Sequence, residues 1–191
     1  DWVGHPEQYL TIMNCCNGSG ARGLFYAWKE MISYEAGRLR VHLLLNRASK
    51  WADIESHIPY TGRVDIRARR GMKLEIRIPD WVRSNEARCR VDGAARELKF
   101  DGRYAIVGDL RRGQTAVITF PIFERTMKTK IQDANNPLGS EYTLVFRGND
   151  VVSIDPPGRI CPLYKRAHYR SGQTLYRKVT RFVHDQEFEK W

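Results

Sequence analysis

Two cysteines stand side by side at Cys15-Cys16, directly before Asn17-Gly18-Ser19-Gly20 and a segment with helical periodicity. At a helix start, unpaired backbone N–H groups and the positive end of the helix dipole favour an anion. A thiol placed there ionises more readily and becomes a better nucleophile or metal ligand. Four readings of the pair are open on the residues alone. The two could be small buried hydrophobes, the commonest state of free cysteine and the one the residues by themselves favour. They could form a strained vicinal disulfide, or supply two ligands to a tetrahedral Zn²⁺. Finally, one sulfur could attack a substrate while a metal holds its thiolate state. No Cys-x-x-Cys or His-x-x-x-His spacing completes a metal site within the chain.

The remaining chemical side chains read more plainly. Cys89 lies in the alternating Arg88-Cys89-Arg90-Val91 and Cys161 between Ile160 and Pro162, both as small buried hydrophobes. His42 and His57 occupy polar positions of alternating segments and read as surface residues. Asp53 and Glu55 share one strand face, but glycosidase carboxylates flank a bond across a cleft, about 5–9 Å apart, so these read as solvated. Trp51, Tyr60 and Trp81 near strand ends read as caps of a core, with a sugar-stacking platform as the lesser alternative.

The chain of 191 residues carries a formal charge of +10, with 42% hydrophobic and 28% charged residues. Its arginines are spread along the chain among Asp and Glu, as on solvated strand faces, so nucleic acid is not an expected partner. No stretch approaches the roughly 20 apolar residues of a membrane span, and the opening Asp-Trp-Val-Gly-His-Pro has neither an initiator Met nor a leader pattern. The expectation is that residue 1 lies inside a longer protein.

The elements that must position these residues follow from periodicity. Leu24, Ala27, Trp28, Met31 and Ile32 form one helical stripe, capped at Asn17 or Ser19 and stopped at Gly37. Helices preceding residue 1 are the expected cover for that stripe. After Gly37 the period falls to two: strands are predicted over 39–45, 52–58, 64–68, 72–78, 88–91, 97–100, 104–107 and 115–120. Arg70-Gly71 suggests a tight hairpin, and Asp92-Gly93, Asp101-Gly102 and Arg112-Gly113 mark other turns. Residues 126–140 lose the apolar pattern and read as loop or linker around Asn135–Gly139. Further strands are predicted at 142–146, 151–154, 163–169 and 175–183. The fold class is mainly β, an antiparallel β-sandwich with one N-terminal helix.

The segment Cys15-Cys16-Asn17-Gly18-Ser19-Gly20-Ala21-Arg22, the helix after it and the strand Leu39–Leu45 resemble the end of the catalytic domain of glycoside hydrolase family 127, the β-L-arabinofuranosidases. Residues 143–158 and 178–183 resemble the C-terminal region of such proteins, so the resemblance runs from about Met13 to the end. It implies that the helix is left over from an (α/α)6 barrel, followed by sandwich domains. The implied division is 1–37 as the end of the barrel, 38–125 as a β-sandwich and 126–191 as a second small β-rich domain.

It also implies a zinc ion held by both members of the vicinal pair and by a Glu and a Cys elsewhere. Cys15 would be nucleophile and ligand in a retaining mechanism, Cys16 a ligand, and a separate Glu the acid/base. The partners implied are a carbohydrate substrate, an L-arabinofuranoside or related plant sugar, and the missing barrel, without which these residues would be inactive. The family pattern continues from the pair into Pro-Pro-Asn where this chain has Asn17-Gly18-Ser19, which leaves the sugar open. The alternative is a non-catalytic carbohydrate-binding or structural sandwich. Vicinal thiols kept reduced slightly favour a cytoplasmic setting.

Overall fold

A computed structural model of the chain describes residues 14–133, 136–157 and 166–174, with backbone alone for 14–17, 133, 136, 137 and 167. The helix, α1, runs Asn14–Lys29 and is followed by strands β1 (Ile32–Glu35) and β2 (Arg38–Val41). It differs at both ends from the sequence expectation. Asn17–Gly20 is its early part, not a loop, and it stops well before Gly37. Ala36 (φ 48°) and Gly37 (φ 78°) instead turn the β1–β2 hairpin, whose register pairs Ile32 with Val41 and Glu35 with Arg38. Met31 and Ile32, the last two members of the presumed stripe, are buried in the β core. That burial ends the helix, because Ile32-Ser33-Tyr34-Glu35 gains more as an alternating strand than as another helical turn. The boundary drawn after residue 37 therefore falls in a hairpin turn.

The expected sandwich is present. Its second face is built from β3 (Arg47–Ala48), β4 (Ala52–Ser56), β5 (Arg63–Ala68), β7 (Arg88–Val91), β8 (Ala94–Arg96) and β11 (Thr115–Thr119). Its first face joins β1 and β2 to β6 (Met72–Arg77), β9 (Lys99–Asp101) and β10 (Tyr104–Leu110). Strand orders are β1-β2-β6-β10-β9 and β3-β4-β5-β11-β7-β8. Arg70-Gly71 does not close a hairpin: β5 and β6 belong to opposite sheets, and the chain crosses between them there. The pairing is antiparallel except that β2 runs parallel to β6, Leu39 beside Leu74. Between those two strands the chain crosses to the other sheet and back, which frees β6 to return in the direction of β2.

Alternate residues from both sheets meet in the middle. Leu39, Val41, Leu74 and Ile76 from one sheet, and Val64, Ile66 and Ile118 from the other, are fully buried. Asp92 and Gly93, both at positive φ, turn β7 into β8 as the Asp-Gly dipeptide predicts. Asp101-Gly102 joins β9 to β10.

Residues 126–140 depart from the sequence reading. They belong to a long hairpin, β12 (Glu124–Asp133) with β13 (Asn136–Arg147), extended by β14 (Asp150–Asp155) into a three-stranded sheet. Most of β12 is exposed on both faces, so it carries no inside–outside alternation for the sequence to display. The strands expected at 142–146 and 151–154 lie within β13 and β14. Ala167–Ser171 is a single 3-10 turn, and the segments 163–165 and 175–183 lie outside the described residues. Among the described residues no helix is long and apolar enough to cross a membrane.

One close approach constrains the sequence. Gly62 accepts a hydrogen bond from Phe120 N at 2.8 Å, and a Cβ on Gly62 would sit 1.9 Å from the Phe120 carbonyl oxygen. Backbone must move to admit it, so Gly62→Ala should destabilise the fold by about 1–3 kcal/mol, read as a lower midpoint in urea unfolding. An unchanged midpoint would refute the contact.

Candidate functional site

The vicinal cysteines sit in the first turn of α1, where backbone N–H groups lack intrahelical acceptors. That backbone position is the one in which an anionic sulfur is favoured. The thiols themselves, and all of Cys161, lie outside the described residues. Among the described residues no three His, Cys, Asp or Glu side chains gather as a metal-binding group. Two thiols are chemically suited to zinc but amount to two of the four donors of a tetrahedral site. On the donor set, the pair fits half of such a centre.

What the structure does establish is how the carrier of the pair is held. The other end of α1 is joined to the sandwich with almost no intervening chain. Met31, almost wholly buried, accepts hydrogen bonds from His42 N (2.8 Å) and Leu43 N (3.3 Å) and donates to Trp28 O (3.4 Å). The Arg47 guanidinium stacks 3.4 Å from the centre of the Trp28 ring and also donates to the Trp28 carbonyl. A cation on the last-turn carbonyls complements the helix dipole, and its stacking on Trp28 adds a cation–π contact. The described side chains of the rest of the helix, from Gly18 to Ala27, are exposed: Leu24 is 75% exposed and Tyr26 54%.

Beside this junction, the outer face of the first sheet carries a connected polar layer. The Ser33 hydroxyl lies 2.8 Å from His42 Nε2, and the Tyr104 hydroxyl 2.7 Å from His42 Nδ1. Glu75, nearly buried, receives Arg40 Nε at 2.6 Å and Arg38 Nε at 3.0 Å. Hydrogen bonding to Glu75 raises the Arg40 pKa further. Burial pushes the His42 pKa down, and the Arg40 charge pushes it further. His42 is therefore not the simple surface residue that its polar strand position suggests. Its partners are 9 and 62 residues away, a separation that local periodicity cannot join. Ser33, Arg47 and Tyr104 carried no sequence signal beyond residue type.

The other candidates are engaged separately. His57 reaches Thr174 Oγ1 (3.0 Å) and Asp65 (3.4 Å). Asp53 is tied to Arg69, and Glu55 is exposed, so the two do not face each other across a cleft. Trp51 stacks on Tyr34 at 5.0 Å, Tyr60 meets Tyr169 at 5.2 Å, and Trp81 packs edge-on to Phe120 at 5.7 Å. Each aromatic closes a different contact. Cys89 is a buried hydrophobe as expected, and burial raises its thiol pKa.

His42 yields a prediction with a definite sign. Its folded pKa lies below the usual histidine value of about 6.5, so just below that pH the unfolded chain binds more protons. The neutral ring's contribution is full above about pH 6.5 and is lost as pH falls. Unfolding free energy should therefore rise with pH through this window, and His42→Asn should flatten the rise. Equal slopes in the two proteins would contradict it.

No family model matches the chain, and no curated protein matches it in sequence. Among solved structures, one described as a glycoside hydrolase superposes at a TM-score of 0.53 with 17% identity, over 73% of this chain and 25% of the other. A GH127 β-L-arabinofuranosidase from Geobacillus stearothermophilus T6 superposes at 0.50 with 19% identity, over 73% of this chain and 24% of the other. The chain thus shares its fold with about a quarter of each of these longer proteins.

Proposed function

We propose that this chain is part of a retaining glycoside hydrolase acting on L-arabinofuranosides or related plant sugars, and that it carries half of the catalytic centre. The observation that carries the reading is the junction of α1 with the sandwich. A vicinal cysteine pair opens a helix whose far end is locked to a fold shared with a GH127 enzyme. In this reading α1 belongs to a helical barrel, the two main sheets form the accessory sandwich, and the three-stranded sheet belongs to a second small β-rich domain.

Within it, Cys15 and Cys16 would hold a zinc ion, with the remaining ligands coming from the barrel. Bound zinc keeps the coordinated sulfurs as thiolates at neutral pH. The Cys15 sulfur attacks the anomeric carbon, and a C–S bond forms as the glycosidic C–O bond breaks. A carboxylic acid from the barrel protonates the departing oxygen. Water, deprotonated by that same carboxylate, then displaces the sulfur and releases the sugar with its configuration retained. The first turn of α1 favours negative charge on the attacking and leaving sulfur alike. Met31 and Arg47 act at a distance, fixing the helix that presents it.

The test uses the longer protein that contains these residues. It should bind one zinc, hydrolyse a chromogenic β-L-arabinofuranoside, and lose at least about a thousandfold of kcat on Cys15→Ser, the scale of removing a nucleophile. Residues 1–191 alone should turn over nothing. A metal-free longer protein that tolerates Cys15→Ser would instead favour a binding or structural sandwich, as would turnover that depends on neither cysteine.

A further inference from the structure

Beside the β7–β8 edge of the second sheet lies an open groove of about 750 Å³, within the size range of small-ligand sites. Leu98 and Phe100, half-buried against the core, and Val117 give it an apolar lining. Arg88, Arg90 and Arg96 also line it, with Glu97 the only acid among the lining residues, leaving two net positive charges.

Among the described residues no carboxylate pairs with these three arginines, unlike several others on the sandwich. Arg38 and Arg40 share Glu75, Arg63 pairs with Asp65 and Arg69 with Asp53. At the groove, Arg96 donates to the Val107 and Asp109 carbonyls, at 3.3 and 2.9 Å, where β10 bulges between Ile106 and Gly108. Arg88 likewise donates to the Asn85 and Ala87 carbonyls. Carbonyls orient both guanidiniums without cancelling their charge. Arg90, two residues along the same strand face as Arg88, has no partner among the described residues. A planar guanidinium with free donors matches a carboxylate in bidentate fashion.

We propose that this groove is a binding site for a carboxylate-bearing saccharide, a uronate-containing oligomer of the plant cell-wall type. Arg90 takes the carboxylate, Arg88 adds charge beside it, and Phe100 and Val117 receive the apolar face of a sugar ring. Glu97 accepts hydroxyl hydrogens. The site lies on the sandwich and uses neither Cys15 nor Cys16; it rests on the carbohydrate reading but not on the zinc chemistry. It would keep the enzyme on a polymer whose acidic backbone bears the neutral arabinose side chains that it removes.

Calorimetric titration of the 191-residue chain with trigalacturonate, neutral arabinotriose and polyglutamate tests this directly. Trigalacturonate should bind at least about tenfold more tightly than either control. Arg90→Ala should weaken it at least about tenfold, Arg90→Lys less, with the thermal unfolding midpoint unchanged. Added salt should weaken it too. Arabinotriose binding equally well overturns the acid preference while leaving the carbohydrate reading intact. Polyglutamate binding equally well reduces the groove to a cationic patch and overturns the site. Absence of trigalacturonate binding, or indifference to Arg90→Ala, overturns it as well, whatever zinc and activity show in the longer protein.

Discussion

The structure depends on the two-residue period that drives alternate side chains of two sheets into one shared core. Leu39, Val41, Leu74 and Ile76 meet Val64, Ile66 and Ile118 with no residual exposure. At roughly 25 cal/mol for each Å² of apolar surface buried, each of these side chains contributes about 1.5–3 kcal/mol. A polar substitution at any of them removes that contribution and adds a desolvation cost. The same alternation fixes the outer faces. It sends Glu75 and His42 outward between Arg40 and Tyr104, and it places Arg88 and Arg90 side by side on β7.

The core also explains how a helix can be presented so firmly by a β domain. Met31 and Ile32 leave the helical stripe to enter the core, and the chain turns into β1 within two residues of the helix end. Arg47 then closes over Trp28. Swinging of α1 would have to break the Trp28–Arg47 stack and the half-buried packing of Trp28 on the core. Any chemistry at the far end of α1 therefore inherits its placement from the sandwich.

Much of this was legible in the sequence, for identifiable reasons. The sandwich class, the Asp92-Gly93 turn and the buried role of Cys89 all follow from local alternation and turn chemistry, which a single strand displays by itself. The end of α1 was misread because Met31 and Ile32 fit a helical stripe and a strand equally well, and only the opposing sheet decides between them. The Arg70-Gly71 crossing resembled a hairpin because a tight turn and a sheet-to-sheet passage share residue types. Residues 126–140 were silent because β12 is exposed on both faces. Of the candidate site, the cysteine pair announced itself by adjacency. The Ser33–His42–Tyr104 layer did not, since its members meet only through register.

Cys15 and Cys16 are proposed as two of the ligands of a zinc centre completed by a barrel. X-ray absorption at the zinc edge of the longer protein tests it most directly. At least two sulfur scatterers are expected at about 2.3 Å, with one lost on Cys16→Ser. A metal shell of nitrogen and oxygen alone, or a sulfur count indifferent to that substitution, would contradict it.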